Sequence, residues 1–160
     1  MDKKNKAPWW ATLIGSGFGT GYCPVAPGTA GALLALLVWL GTDLLFPGGT
    51  VWWITLALLL VFLPVGIVAA DCLERYWGKD PSRVTIDEVA GTWVALLAVP
   101  SGKIWAAIAA FALFRFFDIY KPLGIRKMES FRGGWGIMMD DVLAGFYSFL
   151  TITLALCVMR

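Results

Sequence analysis

Histidine is absent from this chain of 160 residues, cysteine occurs only three times, and charged residues make up just 15%. Without histidine, and without a cysteine pair at ligand spacing, there is no donor set for zinc. Cys23, Cys72 and Cys157 are scattered and odd in number, so neither a disulfide framework nor a CxxC metal site is indicated. Charge is scarce against the roughly 25% usual for soluble chains. Apolar residues fill the gap, at 59% hydrophobic and a mean hydropathy of +0.73. That balance excludes an ordinary soluble domain. The length fits a single domain over residues 1–160, with no room for a large separate aqueous domain. A basic start (Lys3, Lys4, Lys6) is not followed at once by a short apolar stretch and cleavage site, so no cleaved signal peptide is expected. Net charge is an unremarkable +2, and no nucleic-acid partner is expected.

Four apolar runs stand out, at 30–46, 51–70, 104–120 and 142–159, with a weaker fifth at 89–100. Seventeen helical residues reach about 25 Å, a little short of a hydrocarbon core of about 30 Å. The expected fold is all-α: a polytopic membrane helical bundle of four to five transmembrane helices. Residues 15–31 are too rich in Gly and Pro for a membrane helix and read as a re-entrant or interfacial segment, preceded by a short interfacial helix at 9–14. Trp9-Trp10 and Trp52-Trp53 fit an aromatic belt. With five passes and the N-terminus inside, ten Lys and Arg fall on the cytoplasmic side. Only Lys103 and Arg160 fall outside. The same topology gathers Asp87, Glu88, Asp118, Asp140 and Asp141 on the cytoplasmic face.

Those carboxylates are the candidate chemistry. Asp87-Glu88 and Asp140-Asp141 each open an apolar stretch, where ionised groups are costly unless paired or metal-bound. Helix capping needs one carboxylate, and adjacent like charges repel. A divalent cation relieves that repulsion, and hard oxygen ligands favour Mg²⁺, Mn²⁺ or Ca²⁺. Arg115, Asp118 and Lys121 recur every third residue and share a helix face, with Pro122 discouraging continuation. The glycine-rich 15–31 stretch, with Gly28, Thr20 and Thr29, can offer amides and hydroxyls to a phosphate, although it is no Walker A loop. Arg126, Lys127 and Arg132 can attract an anionic headgroup or anionic lipid.

The strings GFGTGYCPVAPGTAG (17–31), IDEVAG (86–91), FRFFDIYKP (114–122) and GGWGIMMDDVLAG (133–145) resemble the phosphatidylglycerophosphatase A family of bacterial membrane phosphatases. The resemblance implies a Mg²⁺-dependent enzyme of the bacterial cytoplasmic (inner) membrane that converts phosphatidylglycerophosphate to phosphatidylglycerol and phosphate. On this reading Asp87, Glu88, Asp140 and Asp141 hold metal, and Asp118 is a further ligand or general base. Lys121 and Arg115 offset phosphoryl charge. Gly28, Thr29, Arg126 and Arg132 bind substrate. Ala32 and Gly124 stand where the family often has Ser and Pro. No Cys is followed by Arg six positions on among Cys23 and Cys72, and no Asp-x-Asp string occurs, which excludes cysteine-dependent and haloacid-type phosphatases. Two alternatives are a small membrane transporter and a CDP-alcohol phosphotransferase-like enzyme, whose DGxxAR string is missing. Oligomeric state stays open, a homo-oligomer among the options.

Overall fold

The computed structural model describes residues 6–122, 124–128 and 131–159. Lys3, Lys4 and Arg160 of the charge count lie outside them. Among the described residues the fold is all-helical: α1 (Trp9–Gly15), a 3₁₀ turn (Thr20–Tyr22), α2 (Pro27–Leu45), α3 (Thr50–Trp77), α4 (Ile86–Leu96), α5 (Ile104–Tyr120), α6 (Ile125–Met128) and α7 (Gly134–Val158). Large apolar side chains cover the outside, Leu44 at 83% and Leu154 at 66% exposure among them. A water-soluble monomer does not tolerate so broad an apolar exterior. Lipid accounts for it.

Three helices, α2, α3 and α7, are long and apolar enough to cross a membrane, fewer than the four to five expected. At 17 residues α5 falls just short, and α4 has only 11. Most of α4 is buried by the other helices, so its short length is matched to protein and not to lipid. Its chain runs from one end of α2 to the other without folding back. Thr85 packs on Gly31 near the start of α2, while Ser101 and Gly102 donate to Asp43 near its end, at 2.5 and 2.9 Å. Ser101 Oγ also accepts from the Gly48 amide, which closes that far end of the bundle. Hydroxyls along the helices, such as Thr55, Thr92 and Ser148, donate to the carbonyl four residues back. That satisfies each polar group inside its own helix.

Helix boundaries differ from expectation at two glycine-rich places. Residues 27–31 belong to α2, with Pro27 in its first turn, where a missing amide costs nothing. Helix α7 begins at Gly134, two turns before Asp140-Asp141, so this acidic pair does not open its helix. Capping therefore cannot explain it. Gly124 has φ +91, a value closed to proline, which accounts for its departure from the family pattern. Ala32 is fully buried inside α2.

Candidate active site

The site is built where α4 and α7 cross. A Cβ on Gly145 would lie 2.2 Å from the Gly91 carbonyl oxygen, and one on Gly91 would lie 2.5 Å from that of Asp141. Only glycine lets the two backbones approach so closely, as small residues do at membrane helix crossings. Asp87 and Asp141 each stand four residues before these glycines, one turn nearer the same end. The echo DEVAG/DDVLAG thus has a structural meaning: each copy pairs a carboxylate with its contact point. Oxygens of Asp87, Glu88 and Asp141 converge within 4.8 Å of one another.

Helix α5 brings the third component. Arg115 Nη1 donates to Asp118 Oδ2 at 2.5 Å, and Asp118 reaches Asp141. Lys121 caps the end of α5 in a left-handed conformation (φ 47), and its Nζ donates to Asp140 Oδ2 at 2.6 Å. Lys121 therefore pairs with Asp140, while Arg115 takes Asp118. Gly28 in the first turn of α2 closes the site. A Cβ there would lie 2.1 Å from Glu88 Oε1 and 3.3 Å from Arg115 Nη1. Thr29 beside it is half-buried, whereas Arg126 and Arg132 are exposed and join no contact of the cluster among those described.

Electrostatically this centre is under strain. Asp87 and Glu88 in the first turn of α4 and Asp140 and Asp141 in α7 crowd like charges into a buried place, where they repel one another. Asp87 Oδ1, Glu88 Oε2 and Asp140 Oδ1 are buried without a protein hydrogen-bond partner. Buried carboxylate oxygens rarely go unmatched. A hard cation with oxygen ligands fits this donor set. Sequence reading found the carboxylates and both cations. It missed Gly91 and Gly145, which the spacing of the echo could have revealed, and the Thr20–Thr85 hydroxyl contact of 2.8 Å that ties the glycine-rich segment to α4.

Buried carboxylates flanked by Arg and Lys gather at one end of an apolar helical bundle, an arrangement that suits phosphate esters at a membrane. The particular family follows from comparison: residues 13–156 match the profile of phosphatidylglycerophosphatase A, and the chain belongs to that family of phosphatases. Phosphatidylglycerophosphatase A of Escherichia coli K12 is 32% identical, over 91% of this chain and 81% of that protein. The Haemophilus influenzae protein of the same name is 39% identical, over 88% and 85%. A Bacteroides thetaiotaomicron protein provisionally named a phosphatidylinositol-3-phosphatase is 59% identical, over 89% and 91%. No solved structure matches the chain.

Gly28 supplies a first prediction. Gly28→Ala places a methyl group against the Glu88 carboxylate, which is the movable end of a side chain. The expected outcome is a folded protein whose phosphatase rate falls about 10-fold or more, the scale of disturbing the groups that orient a site carboxylate. Unchanged phosphate release with an unchanged melting temperature would disprove it.

Proposed function

We propose that this protein hydrolyses the terminal phosphomonoester of phosphatidylglycerophosphate, giving phosphatidylglycerol and phosphate, with Mg²⁺, at the cytoplasmic face of a bacterial inner membrane. The observation that carries this reading is the convergence of Asp87, Glu88 and Asp141 between Arg115 and Lys121 in a chain of this family. Asp87, Glu88 and Asp141 would hold the ion, with Asp140 beside them. Bound Mg²⁺ supplies charge stabilisation on the phosphoryl oxygens and orients water.

The chain's own groups do the rest. Arg115 and Lys121 offset charge on the equatorial oxygens, the main demand of phosphoryl transfer. First-turn amides of α2 at Gly28 and Thr29 favour an anion at a helix N-terminus. Asp118, held by Arg115, is placed to accept a proton. Exposed Arg126 and Arg132 draw anionic lipid to the surface. The charges gather at one end of the bundle, which suits surface hydrolysis better than a path across it.

A second reading has its own support. The Bacteroides relative's name points to phosphatidylinositol 3-phosphate, another phosphomonoester on an anionic lipid. Both substrates ask the same of the carboxylate centre. Phosphate release from each lipid should be measured in detergent with Mg²⁺, then excess EDTA, then Mg²⁺ restored. Release that stops and returns is expected, with the faster lipid naming the substrate. Release indifferent to EDTA would remove the metal from the reading; no release from either lipid by folded protein would remove the reaction.

A further inference from the structure

A cavity of about 350 Å³ opens beside the carboxylate centre, between the end of α3, the loop after it and the start of α7. Among the described residues its polar lining is Glu74, Lys79, Asp80 and Asp140, with Phe131 as an apolar wall. The size falls in the range of about 300–1,000 Å³ usual for small-molecule sites. Asp140 is 6% exposed and joins cavity to centre: its Oδ2 takes the Lys121 ammonium, while its Oδ1 is buried with no protein partner. Asp80 adopts φ 47, a left-handed conformation that Asp takes more readily than most residues.

Among the described residues the lining has three carboxylates against one ammonium. Ionised carboxylates only accept hydrogen bonds, so the chamber is short of donors. A phosphate would meet repulsion everywhere but beside Lys79. A cation needs converging oxygens, and among the described residues the only carboxylate trio that converges is Asp87, Glu88 and Asp141. What suits the lining is a hydroxyl-bearing group that can donate. Both lipids considered above carry one, bonded directly to the phosphate that is removed: a glycerol with a single free hydroxyl in one, an inositol with several in the other.

We propose that this cavity is the headgroup subsite, in which Glu74 and Asp80 accept hydrogen bonds from the polyol of the lipid while Lys79 faces its phosphodiester. The proposal rests on the reading of the carboxylate centre as a lipid phosphatase site and adds what selects the lipid. Phosphatidate, a phosphomonoester lipid without a polyol, is the natural contrast.

Two measurements test it on the full-length protein in detergent. In Glu74→Gln/Asp80→Asn, kcat/KM on phosphatidylglycerophosphate and phosphatidylinositol 3-phosphate should fall at least 10-fold more than on phosphatidate, mainly through KM. An equal fall on all three lipids would overturn the subsite. The second measurement needs no catalysis: native mass spectrometry of the protein with equimolar phosphatidylglycerol, phosphatidylinositol and phosphatidate. Wild type should retain a polyol lipid preferentially, and the double variant should lose that preference. A preference unmoved by the substitutions overturns the subsite, as does a change in Mg²⁺ dependence with headgroup preference intact. Preferential retention without hydrolysis of any lipid would support the subsite and refute the phosphatase reading.

Discussion

Asp141→Asn is expected to abolish measurable phosphate release while leaving the protein folded. Asp141 sits where the carboxylates of three helices meet. Its oxygen converges with those of Asp87 and Glu88, it meets Asp118, and its backbone carbonyl lies against Gly91 at the helix crossing. Changing the carboxylate to an amide keeps size and backbone and removes one charge. On the proposed reading Asp141 is a direct metal ligand; disturbing the groups around such a ligand costs about 10–100-fold, so losing it should cost about 100-fold or more. Stability should move the other way. In the absence of metal, four neighbouring buried carboxylates repel one another, and removing one relieves that repulsion. Wild type should therefore melt lower than Asp141→Asn in EDTA and gain more from added Mg²⁺, since a ligand stabilises only the state that binds it. A wild-type rate in the variant, or an equal Mg²⁺-induced shift of melting temperature in both proteins, would show that Asp141 holds no metal.

Much of that centre was legible because apolar sequence makes charge conspicuous. In a chain with so few ionisable groups, each carboxylate near a span needs a reason, and Asp87, Glu88, Asp118, Asp140 and Asp141 do gather at one end. Misreadings came from glycine. In soluble helices glycine costs roughly 1 kcal/mol against alanine and marks a break. Between packed membrane helices it marks a crossing. Gly134 is helical with its Cα against Ile67, where a Cβ would lie 1.9 Å from the carbonyl oxygen, so an apolar run counted from 142 leaves α7 about two turns too short. The count of spans failed for a related reason: α4 is apolar because protein buries it, not because lipid does. Contacts between distant segments had no local signature at all. Asp43 meets Ser101 across 58 positions, and Glu74 and Asp140 line one cavity from different helices.

Lys121 lends itself to a prediction that separates chemistry from folding. It sits at φ 47 with Pro122 following, so the chain leaves α5 through a left-handed residue that carries a full side chain. Such a conformation costs about 1–2 kcal/mol in any residue but glycine. Strain of this kind persists where the surroundings enforce it, and here it accompanies the ammonium's contact with Asp140, 19 residues away. Lys121→Gly and Lys121→Ala remove the same ammonium and differ only in the backbone. Both should lose turnover by about 100-fold, the scale of removing one donor from a developing phosphoryl charge. Their Mg²⁺ affinities should change much less, because Asp87, Glu88 and Asp141 remain. Yet the glycine variant should be the more stable of the two by about 1 kcal/mol, read from melting in detergent. Lys121→Arg restores charge but not the compact ammonium, and should recover part of the rate. If Lys121 merely held Asp140 in place, Mg²⁺ affinity would fall in step with turnover in both variants, and arginine would restore the two together. A strained backbone kept for a side chain that serves only packing would be hard to explain, because glycine would pack with less cost.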